Sequence, residues 1–161
     1  MGLDMYLKAH SHFFIWSESK GPEKEQCAAI LENAGLSAIV NKSHLGCDVS
    51  VTVAYWRKAN AIHGWFVDHV QDGKDECKET YVTREQLQTL HDLAVETLKR
   101  YDAEDRYGAA ELLKPREGFF FGSTEVDDYF RANLVDTIRQ LAPLLDEDLH
   151  RRFTFTYRSS W

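Results

Sequence analysis

Leu3-Asp4-Met5-Tyr6-Leu7-Lys8-Ala9-His10 places an apolar side chain at every second position of the first part with Asp4, Tyr6, Lys8 and His10 between them. Alternate residues of an extended chain point to opposite faces, so this stretch predicts a β-strand with one buried face. The far end of the chain repeats the pattern, where Phe153, Phe155 and Tyr157 alternate with Thr154, Thr156 and Arg158. Val49, Val51 and Val53, separated by Ser50 and Thr52, give a third strand, and Leu36–Val40 a short fourth one.

Between these lie helical spacings. Pro22 suits a first helical position, Cys27, Ile30, Leu31 and Ala34 recur at helical intervals, and Gly35 suits the C-terminal cap. Residues 54–71 read as a long helix with Tyr55, Ala59, Ile62, Phe66 and Val70 on one stripe. Asp72-Gly73-Lys74-Asp75 then reads as a turn. Thr83 with Gln86 three residues on forms a capping box for a helix whose buried side is Leu87, Leu90, Ala94, Leu98 and Tyr101. Residues 102–117 carry little pattern, with Gly108 and Pro115 expected to interrupt any helix, and Phe119–Phe121 reads as a short buried strand. Thr124 and Asp127 mark the start of a last long helix through Phe130, Leu134, Ile138 and Leu141. With strands at both ends and helices mostly between, the expected fold is α+β. A small antiparallel or mixed sheet includes both terminal strands, with three to four helices packed on it. One domain, 1–161, is expected, since no linker, repeat or low-complexity tract interrupts the 161 residues.

Composition narrows the function classes. Hydrophobic residues make up 43% and charged residues 28%, an ordinary globular balance that argues against intrinsic disorder. A net charge of −7, with basic residues grouped only at Lys114-Pro115-Arg116 and His150-Arg151-Arg152, gives no stripe to replace counterions along phosphates. Direct nucleic-acid binding is therefore not expected. No signal-peptide pattern opens the sequence, Tyr6 stands where a myristoylation signal wants Ser or Thr, and no long apolar run is present. Cys27, Cys47 and Cys77 lack the paired spacing of a zinc site and read as free thiols. These features predict a cytoplasmic protein without membrane association.

Two segments have the residue types for ligand contact. Gly122-Ser123-Thr124, read as a helix start, would expose backbone N–H groups and two hydroxyls to an anion, although capping is the routine use of Ser and Thr there. In the preceding helical segment Trp56 and His63 fall together at the edge of the apolar stripe with Asn60 just beyond. There His63 has the pKa range of a general base, while a buried histidine satisfied by a carbonyl is the ordinary alternative. His10 and His12 share a strand face, which without further ligands reads as solvated, and no metal site is expected. No G-x-S-x-G elbow occurs, and Cys77 stands among Asp75, Glu76 and Glu79, which disfavour a thiolate. No catalytic residue and no cofactor is assigned. Aromatic clusters at Phe13–Trp16 and Phe119–Phe121 must pack inside or form a contact surface.

Taken together, MGLDMYL at 1–7, VAYWRKANAIHGWFV at 53–67, GFFFGST at 118–124 and YRSSW at 157–161 resemble a family of small phage- and prophage-encoded proteins without an assigned activity. The resemblance touches both termini and two interior blocks and leaves residues 17–47 and 102–116 without a role. It implies an accessory protein in the host bacterial cytoplasm that binds a host protein, with inhibition of a nucleic-acid-handling or defence system fitting the acidic charge. The alternative is a phosphate- or nucleotide-binding protein or small enzyme. Its pocket would gather Trp56, Asn60 and His63 with Gly122, Ser123 and Thr124. Partner identity and oligomeric state are left open by the sequence.

Overall fold

A computed structural model describes residues 2–16, 22–40 and 44–161, with backbone alone described for 13–16, 22, 23, 44 and 45. The Phe13–Trp16 side chains therefore lie outside the described residues. In chain order the elements are β1 (Asp4–Trp16), α1 (Pro22–Asn33), β2 (His44–Arg57), α2 (Asn60–His69), β3 (Thr80–Val82), α3 (Arg84–Asp102) and α4 (Arg106–Leu112). α5 (Asp128–Leu141), a 3-10 turn at Ala142–Leu145, α6 (Glu147–Arg152) and β4 (Thr154–Ser160) complete them. The strands form one four-stranded antiparallel sheet in the order β2-β1-β4-β3, so the two terminal strands are neighbours as expected and the fold is α+β. β3 and β4 run in register with Thr80 opposite Tyr157 and Val82 opposite Phe155.

The chain divides into two compact units, residues 10–50 in one and residues 1–9 with 51–161 in the other. In the smaller unit, α1 ends in a Schellman motif: Gly35 takes φ +69°, Leu36 N–H donates to Leu31 O at 2.8 Å and Gly35 N–H to Glu32 O at 3.0 Å. Residues 36–40 beyond it are turns rather than the expected strand. Ser37 interrupts their apolar run, and Ile39 N–H closes a turn onto Leu36 O at 3.0 Å.

The larger unit holds the main core. Leu3, Met5, Leu7 and Ala9 of the first strand pack with Phe155 and Tyr157 of the last, with Ile62 and Phe66 of α2, with Leu87, Leu90 and Ala94 of α3 and with Phe130 and Leu134 of α5. Thr83 caps α3 as its spacing predicts, its hydroxyl accepting from Gln86 N–H at 3.2 Å while Gln86 Oε1 accepts from Thr83 N–H at 2.9 Å.

Four local expectations are overturned. Residues 54–57 belong to β2 rather than to a helix, because Ala54 and Trp56 also fit a period of two and Lys58 N–H closes onto Leu3 O at 2.7 Å. Lys58 then turns the chain at φ +53° and the helix starts only at Asn60. Tyr55 consequently faces outward. Phe119–Phe121 is a turn closed by Phe121 N–H to Gly118 O at 3.1 Å, since glycines at 118 and 122 bracket it and Gly122 sits at φ +89°. The helix after it begins at Asp128, capped by the Asp127 carboxylate, which accepts from Tyr129 and Phe130 N–H at 3.0 Å each; Thr124 takes no part. Finally, Gly108 lies within α4, where its N–H donates to the Asp105 cap at 2.8 Å.

Substituting Thr83→Ala removes the reciprocal cap and should lower stability by about 1 kcal/mol. Calorimetry should show Tm falling by about 2–4 °C, whereas an unchanged Tm would mean that the box adds nothing to α3.

Candidate functional site

α2 is buried along most of its length, Asn60 through Val67 all being enclosed, and its first complete turn aims His63 at the centre of the sheet. There β4 lies between β1 and β3, so Tyr157 is covered from both edges. Its ring stacks on Phe66 at 3.9 Å and 6°. The loop after α2 folds back through left-handed turns at Asp72, Gly73 and Cys77. Gly73 N–H bonds Val67 O at 2.8 Å, and the Gln71 amide holds Lys78 O at 2.9 Å. This doubling-back returns Asp75 to the helix it has just left.

The result is a chain of hydrogen bonds. His63 Nδ1 stands 2.8 Å from the Tyr157 hydroxyl and Nε2 stands 2.9 Å from Asp75 Oδ2. The indole N–H of Trp161 donates to Asp75 Oδ1 at 3.1 Å. One tautomer satisfies every partner: Nε2–H donates to Asp75 and Nδ1 accepts from Tyr157. His63 and Tyr157 are both 0% exposed, and Phe121 meets the imidazole edge-on at 4.9 Å. Burial pushes the imidazole below its ordinary value; the hydrogen bond and charge of Asp75 pull the other way but do not win. The Tyr157 phenol is held well above its ordinary range, by burial first and then by the negative charge of Asp75, so it stays an O–H donor. Ser159 touches the same phenol, and its Oγ is 4.0 Å from Cys77 Sγ.

Asp75 also faces outward. Its side chain, 18% exposed, joins Arg116, Glu117, Gly118, Phe119, Phe120, Phe121 and Trp161 around a hollow of about 380 Å³. Gly118 is required here: a Cβ on it would stand 2.4 Å from the Phe121 ring. Phe121 and Trp161 meet edge to face at 5.9 Å and 68°, and Phe119 and Phe120 nearly perpendicular at 4.8 Å. Trp161 is 45% exposed and Phe119 94%. Arg116 is paired with Asp68 at 2.9 Å.

The residues singled out from sequence have other surroundings. Trp56 is a core residue of β2 whose indole donates to Thr137 Oγ1 at 2.9 Å. Asn60 is buried and its amide donates to Ser123 O at 2.7 Å and Phe121 O at 3.3 Å, clamping the turn. Gly122, Ser123 and Thr124 are exposed and precede the helix start by several residues, with Ser123 Oγ accepting from Glu125 N–H at 3.1 Å. The space between this turn and α2 amounts to about 10 Å³, room for about one water and far too little for a phosphate or nucleotide. Of the expected site residues only His63 enters the network. His12 pairs with Asp48 at 2.6 Å, and no group of three metal-ligating side chains gathers among the described residues. The three cysteines are free, and burial, reinforced by Cys47, pushes the Cys27 thiol up to about 11.

No protein-family model, no curated protein and no solved structure matches the chain. The reading of the site therefore rests on its geometry. Asp75, Tyr157, Trp161 and Arg116 escaped the sequence reading. The only local signal for them was turn chemistry at 72–75, which predicts a fold-back without saying what it returns to.

Replacing Tyr157 with Phe leaves His63 Nδ1 buried without a partner and should cost about 1–3 kcal/mol, measurable by urea titration. For His63 the folded-state pKa is depressed, so the unfolded chain binds the extra proton first as pH falls. The stabilisation from the neutral ring is complete above the ordinary histidine value and is lost as pH drops below about 6.5. A His63→Gln variant should therefore lose less Tm than the natural protein between neutral pH and pH 5; parallel curves would exclude this origin.

Proposed function

We propose that this is a phage- or prophage-type accessory protein that acts by binding a host protein, and that the aromatic hollow beside Asp75 is its contact surface. The observation that carries the reading is Phe119, a phenylalanine 94% exposed at the rim of a hollow walled by further aromatic rings. Apolar side chains displayed beside a cavity are characteristic of interaction sites, and aromatic anchors supply most binding hot spots. The resemblance of the GFFFGST and YRSSW blocks to phage and prophage proteins supports the origin, and both blocks contribute residues to the hollow. The net charge of −7 supports a partner with a basic face, such as a nucleic-acid-handling or defence protein whose groove would be covered.

The phosphate-pocket reading has less support. Asn60 and the turn it clamps fill the space where that pocket would lie, and carboxylates at Asp75 and Glu117 oppose an anion in the hollow that is open. An acid–base enzyme is also the weaker reading, because the His63 and Tyr157 atoms that would exchange protons are sealed from solvent.

Affinity capture of the tagged protein from host-bacterium lysate tests this. A stoichiometric, basic partner should be retained by the natural protein and lost with Phe119→Glu, whose exposed position leaves Tm unchanged. Failure to retain any partner, together with Tm shifts from nucleotides or sugar phosphates, would favour the ligand reading instead.

A further inference from the structure

Resting on the binding reading above, we propose that the hollow receives a single arginine side chain from the partner protein, its guanidinium held by the aromatic faces and the Asp75 carboxylate. Size comes first. At about 380 Å³ the hollow lies at the small end of ligand clefts and has room for one long side chain. Its walls are phenylalanines and a tryptophan, whose ring faces attract cations.

Charge then selects the occupant. Asp75 carries its carboxylate at the hollow, and its donors among the described residues are neutral, the His63 and Trp161 ring N–H groups. Glu117 adds a second carboxylate, and Arg116, the one cation among the described lining residues, is already engaged by Asp68. Two carboxylates thus line the hollow beside a guanidinium that Asp68 already engages, which leaves room for another positive group and repels phosphate. Arginine is favoured over lysine because its planar, weakly hydrated guanidinium stacks on aromatic rings and presents paired donors to a carboxylate. The carboxylate itself is fixed by two ring N–H groups, so no side-chain freedom is lost on binding there.

The probe is N-acetyl-arginine methylamide, titrated into the full chain while the Trp161 indole N–H resonance is followed by NMR. A saturable shift is expected, absent with the isosteric neutral citrulline derivative. Phe119→Ala and Glu117→Gln, both at exposed positions that leave folding intact, should each weaken the probe at least threefold. Asp75→Asn should abolish the shift, its fold being checked by the remaining amide spectrum. An equal response to the citrulline compound, an equally tight lysine derivative, or a shift produced by inorganic phosphate instead would each overturn the proposal. Probe binding without any captured host protein would sink the binding-protein reading but leave the arginine site standing. Capture that survives Phe119→Ala and Asp75→Asn would do the reverse.

Discussion

The buried hydrogen-bond chain from Tyr157 through His63 to Asp75 and Trp161 is the constraint on which the larger unit depends. It joins the middle of the sheet, α2, the loop after α2 and the last residue of the chain. An imidazole and a phenol that are fully enclosed must find partners, since an unpaired buried polar group costs about as much as many core contacts contribute. The loop at 70–79 supplies one of those partners by returning Asp75 to His63. Gly73 takes its left-handed turn at no steric cost, while Asp72 and Cys77 hold left-handed backbone along the same loop.

That constraint also separates interior from surface. On its inner side the network is closed, with Phe66 stacked on Tyr157 and Phe121 set edge-on to His63. On its outer side the same Asp75 and the same Phe121 become the floor of the hollow, and Trp161 is fastened to Asp75 while half of it faces solvent. Gly118 contributes by omission, because its bare Cα lets the Phe121 ring lie against the turn. Asn60 clamps that turn from beneath. The exposed rings are thus mounted on a satisfied polar core rather than on a loose loop.

What was legible in the sequence was periodic. The two terminal strands, α3 with its Thr83–Gln86 box, the Gly35 stop and the apolar stripe of α5 all follow from spacing within one element. Errors arose where two periods coincide or where the partner is remote. Ala54 and Trp56 fit both a helix and a strand, and pairing with the first strand decided for β2. GFFFG looks like core by hydropathy, yet its glycines make a turn that turns one phenylalanine in and one out. His63 was legible as a histidine at the edge of a stripe. Its partners stand 12 and 94 residues away, and no local pattern announces them.

The neutral state of His63 bears directly on the surface. If the imidazole carried a proton, its charge would cancel that of Asp75 a single hydrogen bond away, and the hollow would hold a neutral pair. Burial disfavours the imidazolium more strongly than Asp75 favours it, so the ring donates a hydrogen bond without donating a charge. Trp161 does the same from the other side. Asp75 is in this way oriented by two donors and neutralised by neither, which is the condition under which a fixed carboxylate attracts a cation most strongly in a partly desolvated setting. The interior polar chain and the exterior aromatic hollow are therefore one arrangement: the first fixes the direction and the charge of the group that the second displays.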